Sequence, residues 1–336
     1  MSHGTCITVL GPSVSGLQTG GNVYNRRMAE ASGSDERLRV VPWEPEAESV
    51  SELDVPEDGV LVLDSLLART SGVVRTVRSA HPGRALILLV HYLRCIDPTV
   101  SAPEDAAAER EALGAVDGAV TTSRFAKRSL VEEGVSDDAV KVVPPGLDEC
   151  YRGALPARPG RAVPRMLTVA NLLPEKGLRS FVEVLRGLRS LPWTWTLVER
   201  IQRAGLSDRV TYPGTVPPDT LRTWYDRADL FVLPSRFETR SLAMQEAMAR
   251  GLPVVGYRVG GVAENFGDAS AGHLVPPGDA GALRAALRSV LADPAMRRQR
   301  GRNAWRRSQN FPTWAEAAGR FRTALTALYV RATEDA

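Results

Sequence analysis

The chain has 336 residues, 43% of them hydrophobic and 24% charged, which is too much for one ordinary core and comfortable for two soluble globular domains. Lys plus Arg number 42 against 39 Asp plus Glu, and this net +3 is spread along the chain. That argues against a nucleic-acid binder and leaves room for an anionic ligand or a weak peripheral contact with an anionic membrane surface. Three cysteines without CxxC spacing and four scattered histidines argue against a metal site and fit a reduced, cytoplasmic protein.

The start, MSHGTCITVLGPSVSGL, has neither the basic region nor the apolar core of a secretory leader, and no segment approaches the ~18 apolar residues of a membrane span. A short apolar strand, Cys6 to Leu10, runs into Gly11-Pro12, then into a loop with Gly16 and the pair Gly20-Gly21, and a helix is expected over 23–31. Strand, glycine loop and helix is how α/β proteins bring backbone amides to phosphates, although this is not the G-x-G-x-x-G fingerprint. Strands are expected at 37–41, 59–64 and 85–90, with a helix over 73–80, and the last of these strands ends at His91. In a parallel sheet, ligand residues gather at the C-terminal strand ends. A lone histidine is more often structural than catalytic, but a neutral imidazole at such an end can donate one hydrogen bond to a hydroxyl.

A helix over 104–113, a strand over 118–123 and a helix over 124–133 opened by Ser123 as cap precede a strand at 140–143 and the turn Pro144-Pro145-Gly146-Leu147-Asp148. Residues 149–164 have linker composition. The domain boundary falls there, between 1–150 and 165–311. The second half opens like the first, with a strand over 166–170, the loop Asn171 to Gly177 and a helix over 178–188. A strand over 193–198, the stretch 209–216, a helix over 221–228 and a strand over 229–235 follow.

Phe237 to Glu264, FETRSLAMQEAMARGLPVVGYRVGGVAE, is the most informative stretch. Glu238 and Glu246 flank a polar turn, Thr239-Arg240-Ser241, and a helix from Leu242 that stops at Gly251, before an apolar strand and Gly260-Gly261. Backbone N–H groups at such a helix start favour an anion, and the second glutamate lies about two turns further on. Two glutamates alone would read as surface charge. The string as a whole resembles the E-x7-E signature of retaining glycosyltransferases of family 4, E-[FG]-x-G-x-x-x-x-E-A-[ML]-A-x-G-x-P-V-[VI], through Glu238, Glu246-Ala247-Met248-Ala249, Gly251 and Pro253-Val254-Val255.

The resemblance extends over nearly the whole chain and implies a GT-B fold: α/β, with two Rossmann-like domains, a cleft between them, and a last helix, 312–336, crossing back to the first domain. It implies transfer of a sugar from a nucleoside diphosphate sugar, UDP by expectation, with retention at the anomeric carbon and without metal or cofactor. The acceptor would be a small molecule, a glycan or a lipid-linked group. In this reading Glu238 holds donor-sugar hydroxyls, His91 lies beside the donor sugar and Glu246 binds the ribose. The Ser241 and Leu242 amides, Thr239, Arg240, Gly20, Gly21 and Lys176 surround the diphosphate. Asn171 stands where the family has an arginine, which removes a cation that Arg236 or Arg240 would have to replace. After Val198 the family's G-x-G loop is missing. These two departures keep open a catalytically silent nucleotide-sugar binder, and the shared fold keeps open a nucleotide-sugar 2-epimerase.

Overall fold

The computed structural model describes residues 6–12, 19–32, 38–45, 49–56, 59–100, 106–158, 160–198, 209–211, 216–267 and 269–334. The junction after Val198, the loop with Gly16 and the Tyr212–Thr215 stretch lie outside them. The chain divides into two compact units, 1–146 with 312–336, and 147–311.

In the first unit, β1 (Ile7–Pro12), β2 (Leu38–Trp43), β3 (Val60–Asp64), β4 (Ala85–Val90), β5 (Gly118–Thr121) and β6 (Val140–Val142) form one parallel sheet in the order β2-β1-β3-β4-β5-β6. Helices α1 (Gly20–Ala31), α2 (Val73–Ala80), α3 (Ala107–Ala115) and α4 (Arg124–Glu132) connect them. The central strands read VLVLD and ALILLV and are buried along their whole length, as a sheet covered on both faces requires. Strand β2 runs on to Trp43 through Pro42, which an edge strand tolerates because one side of it needs no ladder donor.

Helix α1 starts at Gly20, three residues before its expected start. The Thr19 hydroxyl accepts the Asn22 N–H at 3.2 Å, so the glycine pair forms the first turn and is not a free loop. Ser123 caps α4 as expected, accepting the Ala126 N–H at 3.1 Å. The C-terminal helix, Trp314–Glu334, belongs to this unit. Its buried Trp314, Ala317, Ala318, Phe321, Ala324, Leu325 and Leu328 recur every three or four residues and pack on α1, β4 and β5.

The second unit contains β7 (Arg165–Val169), α5 (Leu178–Arg186), β8 (Thr194–Val198), β9 (Val210–Thr211), α6 (Pro218–Arg227), β10 (Leu230–Leu233), α7 (Leu242–Ala249), β11 (Val254–Tyr257), α8 (Val262–Phe266), β12 (Gly272–Val275), α9 (Ala280–Ala292) and α10 (Pro294–Ser308). Its parallel sheet runs β12-β11-β10-β7-β8-β9. Strand order reverses between β7 and β10, and this switch point is where doubly wound sheets bind ligands. Helix α6 begins at Pro218, earlier than expected, because proline suits the first turn. Short α8 follows Gly260-Gly261 without any strong periodicity to announce it.

The linker-like segment after 146 packs on this second unit. Leu147 and Tyr151 join its core, and the Arg158 guanidinium donates to the carbonyls of Tyr225, Ala228 and Arg250. None of Cys6, Cys95 and Cys150 is in a disulfide. Among the described residues no helix is long and apolar enough to cross a membrane, and no three His, Cys, Asp or Glu side chains gather as metal ligands.

Candidate active site

The loops after β7 and β10 meet at the switch point of the second unit. A backbone bond from the Arg236 N–H to the Glu175 carbonyl, 2.6 Å, ties them together. This brings two of the expected residues into contact, with Lys176 Nζ 2.9 Å from Glu238 Oε1. The Ser235 hydroxyl donates to the same oxygen at 2.8 Å. Their side chains are 21% and 12% exposed, so the pair is partly desolvated yet reachable by a ligand. Asn171 and Thr239 are half-buried in the two loops, Asn171 two residues past β7.

Glu238 is followed by the start of α7. No side chain caps that helix, so its first N–H groups, Leu242 among them, are the donors that a helix start offers an anion. Ser241, at the cap position, has φ 73° and ψ 92°, a backbone region disfavoured for any residue with a Cβ. Asn265 Nδ2 steadies this turn by donating to the carbonyls of Arg240 at 2.6 Å and Ser241 at 3.3 Å. The Arg240 side chain is buried and pairs with Glu264 at 3.3 Å. The Arg240 cation is therefore balanced locally by a carboxylate.

Glu246 sits two turns along α7. The buried Tyr225 hydroxyl donates to its Oε2 at 2.7 Å. Burial, and then the Glu246 charge, push the phenol well above its usual range, so it stays protonated and acts as the donor.

The switch point of the first unit lies between β1 and β3. There the N-terminal turn of α1, with Gly20 and Gly21, meets the ends of β3 and β4. His91 is brought to Asn25, its Nε2 2.8 Å from Asn25 Oδ1, and Asn25 Nδ2 donates to Asp64 Oδ2 at 2.6 Å. His91 Nε2 is 3.6 Å from Asp64 Oδ2. Burial holds the imidazole below the usual histidine range, with Asp64 opposing in part, so the ring is neutral at pH 7. Nε2 is thus engaged within the protein.

Sequence reasoning missed Ser235, Tyr225, Glu264, Asn25 and Asp64. Only Asp64 carried a signal, being the charged residue that closes an otherwise apolar strand.

Two parallel Rossmann-like units, the second with a lysine–carboxylate pair and an uncapped helix start at its switch point, define a GT-B protein. The chain matches sucrose-phosphate synthase of Thermosynechococcus elongatus with TM-score 0.78 at 21% identity, over 97% of this chain and 99% of that one. It matches Anabaena HepE in complex with UDP-glucose with TM-score 0.75 at 17% identity, over 96% and 100%. Residues 160–307 match the sequence model of the glycosyl transferases group 1 family. A 2-deoxystreptamine glucosyltransferase of Streptomyces kanamyceticus is 28% identical over 258 residues, 70% of this chain and 66% of that protein. Such matches span 66% or less of the length of the first curated relatives.

Proposed function

We propose that this protein is a retaining glycosyltransferase that moves a sugar from a nucleoside diphosphate sugar, UDP-linked, to a hydroxyl of a small-molecule, glycan or lipid-linked acceptor. The observation that carries the reading is the Lys176–Glu238 contact beside the uncapped start of α7, with Glu246 two turns further on. In this assignment Lys176 and the α7 N–H groups stabilise the leaving diphosphate, where charge builds up in the transition state. Glu238 accepts from donor-sugar hydroxyls, and Glu246, steadied by Tyr225, accepts from the ribose. In this reading leaving-group stabilisation and front-face attack account for retention, with neither a carboxylate nucleophile nor a metal. UDP is supported by the UDP-glucose complex of HepE. A 2-deoxystreptamine acceptor is a sensible first trial, given the name of the Streptomyces relative.

Incubation with UDP-, GDP- and ADP-sugars and candidate acceptors, read by the anomeric signals in NMR, tests the proposal. A product of unchanged anomeric configuration, formed with EDTA present, is expected. Binding of nucleotide sugars with neither transfer nor slow hydrolysis would instead identify a silent binder, the reading favoured by Asn171 and by the local pairing of Arg240 with Glu264. Glu246→Ala should weaken nucleoside diphosphate binding at least about tenfold, ~1.4 kcal/mol. Glu238→Ala should reduce transfer more than binding, and wild-type behaviour of both variants would remove the site assignment.

A further inference from the structure

Arg158, Arg161, Arg297, Arg298, Arg302 and Asp229 line a cavity of about 220 Å³ in the second unit. Arg161 and Asp229 lie just before the first residues of β7 and β10, and Gly251 and Pro253, also in the wall, lie just before β11. The cavity is therefore at the N-terminal ends of these strands, whereas the loops that carry Lys176 and Glu238 leave the C-terminal ends of β7 and β10. Charge in this space is unbalanced. Of the five guanidinium groups, only that of Arg161 has a carboxylate within ion-pair distance among the described residues, Asp229 at 3.4 Å. Arg158 is held by the three carbonyls given above, and Arg297 by those of Val290 at 2.9 Å and Leu291 at 2.6 Å. A carbonyl orients a guanidinium but cancels none of its charge. These bonds use neither Arg158 Nη1 nor Arg297 Nη2, and a Cβ on Gly251 would lie 3.5 Å from Arg158 Nη1, which places that nitrogen at the wall. Arg298 and Arg302, four apart on α10, are exposed, and Arg302 donates to a neutral amide, Gln299 Oε1, at 2.6 Å. Burial pushes the Arg158 guanidinium down to about 10, Arg250 and Arg161 adding to this and Asp226 and Asp229 opposing it.

We propose that this cavity binds a phosphate group, free or as the monoester of a small molecule, at a site separate from the candidate donor site. Guanidinium forks match phosphate oxygens in pairs, and gathered cations with a single carboxylate among them are completed by an anion of more than one charge. A water takes ~30 Å³ in the liquid, so the space exceeds one water and admits a phosphate with part of the group it is esterified to. Arg158 and Arg297, already oriented by carbonyls, supply the inner contacts, and Arg298 and Arg302 the outer ones. The inference does not rest on the transferase reading, since none of these residues belongs to that site.

Calorimetric titration of the full chain with inorganic phosphate and with glycerol 2-phosphate, at an ionic strength held constant with chloride, tests the proposal. One saturable site with a Kd in the millimolar range or tighter is expected. The double variant Arg298→Gln, Arg302→Gln changes two exposed side chains and should weaken binding about tenfold or more, while Lys176→Ala should leave it unchanged. Saturation by both anions, or by one of them alone, supports the proposal and tells which source of phosphate the cavity takes. Absence of saturable binding by either anion overturns it. So does a double variant that melts like wild type and binds with wild-type affinity. Binding that is lost in Lys176→Ala and kept in the double variant would move the anion to the donor site and overturn the proposal as well. Absence of transfer by wild type, with arginine-dependent phosphate binding as expected, would remove the transferase reading and leave this site standing.

Discussion

Ser241 occupies the place where the E-x7-E signature has glycine, and it keeps the backbone of a glycine, with φ 73°. A residue with a Cβ at positive φ costs about 1–2 kcal/mol, and the uncapped start of α7 depends on this turn. Ser241→Gly should be neutral or stabilising by up to about 1 kcal/mol, the relief being partly offset by the entropy of glycine in the unfolded chain. Ser241→Val should cost about 2 kcal/mol, since a branched Cβ fits this region still less well. Urea midpoints at constant m-value decide both. Tyr225→Phe removes a buried donor 2.7 Å from Glu246 and should cost about 1.5–3 kcal/mol, the range for a hydrogen bond to a charged group. Calorimetry of the unfolding transition reads this loss, and a weaker affinity for nucleoside diphosphate should accompany it.

Helix α7 is the element that carries the candidate donor site, and its position is set from its C-terminal end. Gly251 has φ 69°, and the Gly251 and Leu252 N–H groups close onto the Met248 and Ala247 carbonyls, each at 2.9 Å. Arg250, which the sequence shows as an ordinary cation at a helix end, is 3% exposed. Its guanidinium reaches Asp226 of α6 at 2.7 Å and the Tyr151 carbonyl at 3.2 Å, tying the helix to its neighbours. Gly251→Ala should destabilise the protein by at least about 2 kcal/mol, because a Cβ there both strains the backbone and collides with Leu155. The loss should appear in a denaturant titration even with donor absent, since the contact lies at the end of α7 away from Glu238.

At the scale of the whole chain, the C-terminal helix completes a core that begins 300 residues earlier. Tyr24 in α1 meets the Trp314 and Phe321 rings at 5.8 and 6.5 Å. Trp314, Phe321, Leu325 and Leu328 together represent roughly 6–12 kcal/mol of burial, comparable to the full stability of a domain. Deleting 313–336 should therefore unfold the first unit while the second still melts cooperatively, giving one calorimetric transition in place of two. Acid should weaken both units. His81, His91 and His273 are all held below the ordinary value of 6.5, first by burial, with Arg84 lowering His81 further and Arg300 lowering His273. A folded value below the unfolded one means that unfolding takes up protons, so stability present above about pH 6.5 is lost as the pH falls below it. The melting temperature should drop between pH 7.5 and 5.5, and a flat profile would contradict the neutral state of these rings.

The sequence by itself determined the alternation of strands and helices, most strand positions, and the stretch that holds Glu238 and Glu246, because apolar runs, caps and glycine stops are local properties of the chain. It also pointed to Lys176, in the loop after a strand, and to His91, at the end of one. Only the tertiary structure decided their partners. Lys176 on Glu238, Tyr225 on Glu246, Glu264 on Arg240 and Asp64 through Asn25 on His91 join separate elements, while Ser235 reaches Glu238 within one loop. Apart from the Ser235 pair, the fold sets side by side residues that the chain separates by 21 to 66 positions. The positive-φ turn at Ser241 does not follow from serine itself, which shows no preference for it; the Asn265 side chain helps to hold it there.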